Sequence, residues 1–360
     1  MGFLGMTGLR WFVQMNKKVT MKDISEIVGV SKVTVSKVFN NRDDISEEVK
    51  EKVLKVADEL GYRYNPGVKT LKTGVTRNIG VIVSKLFFER YEDFYVHIFK
   101  NLVQEAERKR YNLILSVARK DQISALELPN ICKEHKVDGL VILGELPREY
   151  VQEMMKYRMP IVLVDFTIKD MEIDSIVTNN FEASYSATKY LIGMGHRSIG
   201  FVGNIKTTKS IMDRYLGYCK AMYEHDLELK EEYIIKERDD DKNELDYELS
   251  EDLPTAFVCN NDKAAYDLIK KLKAKGMDVP RSCSVIGFDD VAHSIFSDPK
   301  ITTMRVRKDA MAEYAINRII AQLENKKLAA EKIIIDADLV ERDSVMELTE
   351  TEKGGGASVR

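Results

Sequence analysis

Residues 19–40 read VTMKDISEIVGVSKVTVSKVFN, and the pattern breaks into two short helices around a glycine. Thr20 has an N-cap side chain, and Asp23 three positions on completes a capping-box-like start at the end of the helix that favours a negative charge. Ile24, Ile27 and Val28 fall on one face, and Gly29 stands where a chain leaving a helix adopts positive φ. Ser31 caps the second helix, in which Val35 and Val38 turn inward. Its other face carries Lys32, Thr34, Ser36 and Lys37, cations and short hydroxyls that let a helix approach phosphates and base edges. A solvated helical hairpin on a larger domain would show the same local pattern, so the neighbouring sequence has to decide.

Downstream, Ser46 is placed to cap a third helix with Glu47 and Glu48 in its first turn. Val49, Val53, Val56 and Leu60 form its apolar stripe, and Gly61 stops it. Three short helices closing on one small core make a helix-turn-helix domain. VTMKDISEIVGVSKVTVSKVFN, ISEEVKEKVLKVADELGY and LKTG, in that order, resemble the headpiece of the lactose-repressor (LacI/GalR) family of bacterial transcription regulators, nearly position by position. The resemblance implies that Lys32, Val33 and Lys37 read base edges in the major groove. Thr20, Ser31, Thr34, Ser36 and Asn40 would hold phosphates or the helix orientation. It also implies that NPGVKTLKT at 65–73 forms a hinge helix on operator, with Leu71 wedging into the minor groove. Val68 there replaces a common alanine.

Composition agrees with a DNA-binding head on a globular body. The chain has 360 residues, 44% hydrophobic and 31% charged, and a net charge of −3. Residues 1–77 hold 14 Lys and Arg against 9 Asp and Glu, whereas the remainder is acidic. A basic head suits nucleic acid, and an acidic body is not drawn onto it. The four cysteines are far apart, which points to buried thiols in a reducing compartment rather than disulfides or a metal site. No apolar run reaches membrane-spanning length. Residues 1–16 are expected to be a disordered extension, or to precede a translation start at Met15.

From residue 78 the pattern alternates short Val/Ile runs with amphipathic helices. Strands are expected at 79–83, 113–117, 139–143 and 161–164, with helices near 96–109, 125–134 and 148–156. A second series is expected to start at 175–178 and to continue with strands at 199–202, 256–259 and 284–288. Its helices fall at 181–194, 214–225 and 262–275. Continuous apolar runs of this length are parallel strands covered on both faces. Two series imply two doubly wound lobes, with a cleft at the carboxyl ends of their strands. The resemblance implies the same periplasmic-binding-protein-like α/β core, with crossover strands near 302–305. The acidic run ERDDDKNELDYELSED is too short for the long helix the family places there, so either that helix is shortened or the segment is a loop, and a solvated face is the default reading.

No enzyme constellation is present: there is no Walker A, GxSxG or HExxH motif, and Gly193-Met194-Gly195 reads as a helix end. His196 reads as a packing residue. Matching motif positions imply that Asp165, Arg214, Asn261 and Asp289 contact an effector, with Phe94 and Tyr95 stacking on it or simply filling the core. Carboxylates and amides suit vicinal hydroxyls, and a guanidinium forks across two oxygens. Asp262 and Asp290 read equally as supports. The expectation is a cytoplasmic, homodimeric repressor of carbohydrate-utilisation genes, bound to a pseudo-palindromic operator and controlled by a sugar or phosphosugar, with no cofactor, metal or membrane. A purine or protein co-regulator remains open, and a sugar-binding receptor is the alternative from another class. The expected layout is extension 1–16, headpiece 17–64, hinge 65–77, two-lobed core 78–345 and flexible tail 346–360.

Overall fold

Thr20 opens the first helix with a complete capping box: its hydroxyl accepts from the Asp23 amide, and the Asp23 carboxylate accepts from the Thr20 amide at 2.7 Å. Helix α1 (Met21–Val28) ends at Gly29, φ +77°. The Ser31 hydroxyl then accepts from the Thr34 amide at 3.0 Å to start α2 (Lys32–Phe39). Helix α3 (Glu47–Glu59) closes the domain, and Ile24, Val35, Val38, Val53 and Ala57 form its core. Two details differ from expectation. Ile27 is 59% exposed, and Ser25 is buried beside Ile24 instead; at about 100° per residue, the face centred on Ile24, Ser25 and Val28 lies roughly 100° from Ile27. Ser46 occupies the N-cap of α3, but its hydroxyl makes no capping bond.

The computed structural model describes residues 19–39, 42, 44–63, 74–90, 92–324 and 328–348. Asn40, Val68, Leu71 and the 1–16 extension lie outside the described residues. The chain divides into two units, meeting in sequence at Thr76 and Arg77.

In the second unit the elements follow as β1 (Asn78–Ser84), α4 (Lys85–Arg90), α5 (Glu92–Arg108), β2 (Asn112–Ala118), α6 (Lys120–Ser124), α7 (Asn130–Lys133), β3 (Gly139–Leu143), α8 (Arg148–Met155), β4 (Ile161–Val164) and β5 (Asp174–Thr178). Then come α9 (Asn180–Gly193), β6 (Ile199–Val202), α10 (Lys209–Glu224), β7 (Ile234–Ile235), β8 (Ala256–Cys259), α11 (Asp262–Ala274), β9 (Ser284–Asp289), α12 (Ala292–Phe296), β10 (Thr302–Arg305), α13 (Lys308–Glu324), β11 (Lys332–Ile335) and β12 (Asp338–Val340). They form two six-stranded sheets, ordered β11-β5-β4-β3-β1-β2 and β12-β10-β9-β8-β6-β7. All pairings are parallel except β10 with β12. Strands such as GLVIL at β3 are buried at every position, as a sheet covered on both faces requires.

The second lobe does not begin at 175–178. Strand β5 pairs with β4 in the first sheet, and the chain crosses only before α9, which packs on α10. It crosses again between β10 and α13, which lies on strands of the first lobe, and a third time between β11 and β12. The alternation of strand and helix runs unbroken through the first crossing, so periodicity does not mark it. Of the helix expected at 125–134 only α7 forms; α6 ends before it at Ser124, and Leu126 at φ +55° and Pro129, which occupies the N-cap of α7, separate the two, as the restriction on residues preceding proline favours.

The acidic run is neither a helix nor simply solvated. Glu237, Arg238 and Leu249 are buried, and residues 238 and 244 pair as a bridge. Lysines of α11 and of its C-cap fasten it: Lys263 to Glu244 at 3.0 Å, Lys271 to Asp246 at 2.5 Å and Lys275 to the Ser250 carbonyl at 3.3 Å. The start of the expected tail is also docked, since the Met346 amide donates to the Ser284 hydroxyl and the Leu348 amide to the Met194 carbonyl.

Candidate effector cleft and recognition helix

The cleft is built where strands of both lobes end. Asp165 follows β4 and Asp289 closes β9, both with left-handed backbone (φ +71° and +101°). Such strained positions in non-glycine residues cluster at ligand sites. A cavity of about 60 Å³ is lined by Phe94, Tyr95, Asp165, Arg214, Asn261 and Asp289, so all six residues singled out from the sequence meet there. It adjoins an opening of about 340 Å³, with which it shares Phe87, Tyr95 and Asp165.

The side chains carry different burdens. The Tyr95 hydroxyl donates to Asp165 at 2.9 Å. Burial pushes the Asp165 carboxyl up to about 7, against the opposing pull of Arg214 and the Tyr95 phenol. Arg214 stacks 3.7 Å from the Phe288 ring centroid and donates to the Asn180 amide oxygen at 2.7 Å and the Asn260 carbonyl. Its remaining arm reaches Asp289 at 3.4 Å. Arg214 is therefore an organiser of the second lobe, not an open fork. Burial raises the Asp289 carboxyl despite Arg214, Lys308 and Arg238. Lys308 donates to the Asp289 backbone carbonyl and lies 5.4 Å from the Phe94 ring centroid.

Asn261 has a structural task, since its side-chain oxygen caps α11 through the Ala264 amide at 2.8 Å. Phe94 and Tyr95 are buried and meet edge to face at 5.1 Å, so core packing accounts for much of their surface. Asp262 is a buried strut, accepting from Thr303 at 2.6 Å and the Val291 amide at 2.8 Å. Asp290 is clamped by Arg305 and Arg342. His196 bonds to the Thr255 hydroxyl at 2.9 Å, and burial lowers its pKa to about 4, as expected of a packing residue. Sequence reasoning missed Phe87 and Arg238, which also line the cavity. Arg238 was hidden in a run whose net charge suggested solvent.

On the headpiece, Val33 is 65% exposed and Lys32 is exposed beside it. Thr20, Ser31 and Thr34 are engaged locally, the last two sharing a hydrogen bond of 2.9 Å. Ser36 is half-buried. Lys37 pairs with Asp44 at 2.5 Å, which ties its ammonium to the loop before α3. Among the described residues no group of His, Cys, Asp and Glu could hold a metal ion, and no helix is long and apolar enough to cross a membrane.

The family model for lacI-family bacterial regulatory proteins matches residues 20–65, and that for a periplasmic binding protein-like domain matches 188–345. The chain is 33% identical to the HTH-type transcriptional regulator RegA of Clostridium saccharobutylicum, over 91% of this chain and 99% of that protein. It is 30% identical to the HTH-type transcriptional repressor PurR of Mannheimia succiniciproducens, over 91% and 99%. It is 29% identical to the probable HTH-type transcriptional repressor ExuR of Bacillus subtilis, over 92% and 99%. Among solved structures, the lac repressor dimer bound to operator and the anti-inducer ONPF superposes with a TM-score of 0.72 at 21% identity, covering 92% of this chain and all of that one. The CelR–cellobiose complex gives 0.66 at 20% identity, covering 91% and 99%. The capped helix-turn-helix, the two parallel lobes joined by three crossings and these full-length relatives make one conclusion: the chain belongs to the lacI family of bacterial regulatory proteins.

Proposed function

We propose that this chain is a homodimeric repressor of carbohydrate-utilisation genes, acting in the cytoplasm on a pseudo-palindromic operator and controlled by a sugar in the cleft. The observation that carries the effector reading is the meeting of Asp165 and Tyr95 from one lobe with Arg214 and Asp289 from the other around one cavity. Two carboxyl groups that can bond to hydroxyls in either protonation state, beside aromatic rings, suit a polyhydroxylated ligand. Arg214 is occupied by Asn180, the Asn260 carbonyl and Asp289, and Lys308 by the backbone carbonyls of Asp289 and Asp290, which favours a neutral sugar over a phosphosugar at this cavity. The related CelR structure contains cellobiose.

Lys32 and Val33 read base edges, Lys37 joins them once released from Asp44, and Thr20, Ser31, Thr34, Ser36 and Asn40 hold the helix or phosphates. Leu71 and Val68 enter the minor groove. Half-sites lie about one helical turn, ~34–36 Å, apart. Ile295 and Phe296, 51% and 82% exposed, supply an apolar face for the partner subunit, and the related lac repressor is a dimer on its operator. The test is retardation of operator DNA by the full chain with each sugar of a panel. Relief or enhancement by a neutral sugar supports the reading, whereas a response only to phosphosugars or purines overturns the effector class.

A further inference from the structure

We propose that the hairpin at 238–244 is a clasp that holds the two lobes closed over the cleft, with Lys242 as its tooth; this rests on the cleft being the effector site. The hairpin is rigid by construction. The Asp239 amide donates to the Asn243 carbonyl at 2.8 Å, and the Asp239 carboxylate accepts from the Asn243 amide at 2.7 Å. It is anchored to its own lobe by Asn204, whose side-chain amide donates to the Arg238 carbonyl at 3.0 Å and to Asp240 at 2.9 Å. The α11 lysines fix the strand that returns from it.

From that base the tip crosses to the other lobe. Lys242, with left-handed backbone (φ +69°), places its ammonium 3.2 Å from Glu145, which follows β3, and 4.9 Å from the ring centroid of Phe87 on α4. A second lysine of the same lobe, Lys209 at the start of α10, donates to Thr167 after β4 at 3.2 Å. The two contacts span the cleft from one lobe to the other. Behind them the cavity of about 60 Å³ opens on the space of about 340 Å³ that Glu145, Thr167 and Lys209 themselves line, so both contacts stand at the edge of the room a ligand would occupy. Any parting of the lobes to admit or release a ligand must break these contacts. The acidic run, read from sequence as a solvated face, becomes a moving part of the effector site.

Hydrogen exchange of the full chain without effector or DNA tests the clasp, so its failure would leave the effector and operator readings untouched. The variants are Lys242→Met, Glu145→Gln, their double, and the charge swap Lys242→Glu with Glu145→Lys. Each single variant is expected to speed exchange roughly two- to fivefold, the scale of one partly shielded ion pair with a cation–π contact. The change should appear on both sides of the cleft, at 144–148 and at 239–244, with residues 19–39 unchanged. The double should match Lys242→Met, which alone also loses the Phe87 contact, and the swap should recover much of the slow exchange. Acceleration confined to the hairpin, additive singles, or a swap no better than the double would overturn the proposal.

Discussion

Asp165 combines a strained backbone, a phenol partner and a pKa raised to about 7 by burial. An acid whose folded pKa lies above its unfolded value binds more protons when folded. Its contribution to stability is fully present below about 4 and is lost as pH rises through about 7. Asp165→Asn should therefore flatten the fall in core stability between about pH 4 and 7, and be relatively more stable than the wild type above it; urea unfolding at several pH values reads this. In the headpiece, Thr20→Ala removes the hydroxyl half of the capping box and should cost about 1 kcal/mol, measured by denaturation of the isolated signal from α1–α3. The capping box was legible because its partners are three residues apart. The occupation of Arg214 was not, since its acceptors Asn180, Asn260 and Asp289 lie 34 to 75 positions away. Nor did sequence show that Asn261 caps α11, because the same motif position serves a cap and a ligand equally well.

Helices α9 and α10 meet at Gly217. A Cβ there would sit 2.1 Å from the Phe181 carbonyl oxygen and 2.9 Å from the Tyr185 amide, both backbone atoms that cannot step aside. Gly217→Ala should force the helices apart and cost at least the ~1–3 kcal/mol of an overpacked core. The loss should appear as a lowered Tm of the core with the headpiece helices intact; an unchanged Tm would mean the helices slide freely. At this scale the sequence was most informative. Strands β3, β4, β6 and β8 begin and end where their apolar runs do, because a strand buried on both faces must be apolar throughout. The short strands β7, β11 and β12 escaped notice. Two, three or four residues, few of them fully buried, carry little hydrophobic pattern, and their placement is decided by pairing with distant partners.

The whole molecule adds three crossings between lobes, which periodicity could not locate, and a cleft whose walls come from both. If Ile295 and Phe296 form the dimer face, Phe296→Asp should shift the protein toward monomer in sedimentation and weaken operator binding at least tenfold, while leaving the fold unchanged. A dimer of undiminished stability would place the interface elsewhere. Coupling between effector and operator should be about 1–3 kcal/mol and reciprocal, so that operator changes effector affinity by the factor with which effector changes operator affinity.

The central claim is that a polyhydroxylated effector binds between Asp165 and Asp289. It is tested most directly by the thermal stability of the full chain against sugars, phosphosugars and purines, repeated on Asp165→Asn. A ligand far above its Kd raises apparent stability by about 2.7 kcal/mol at a hundredfold excess. The account predicts a neutral sugar that stabilises the wild type and loses most of that effect in the variant. A ligand that stabilises both proteins equally, or a purine alone among the panel, would contradict it.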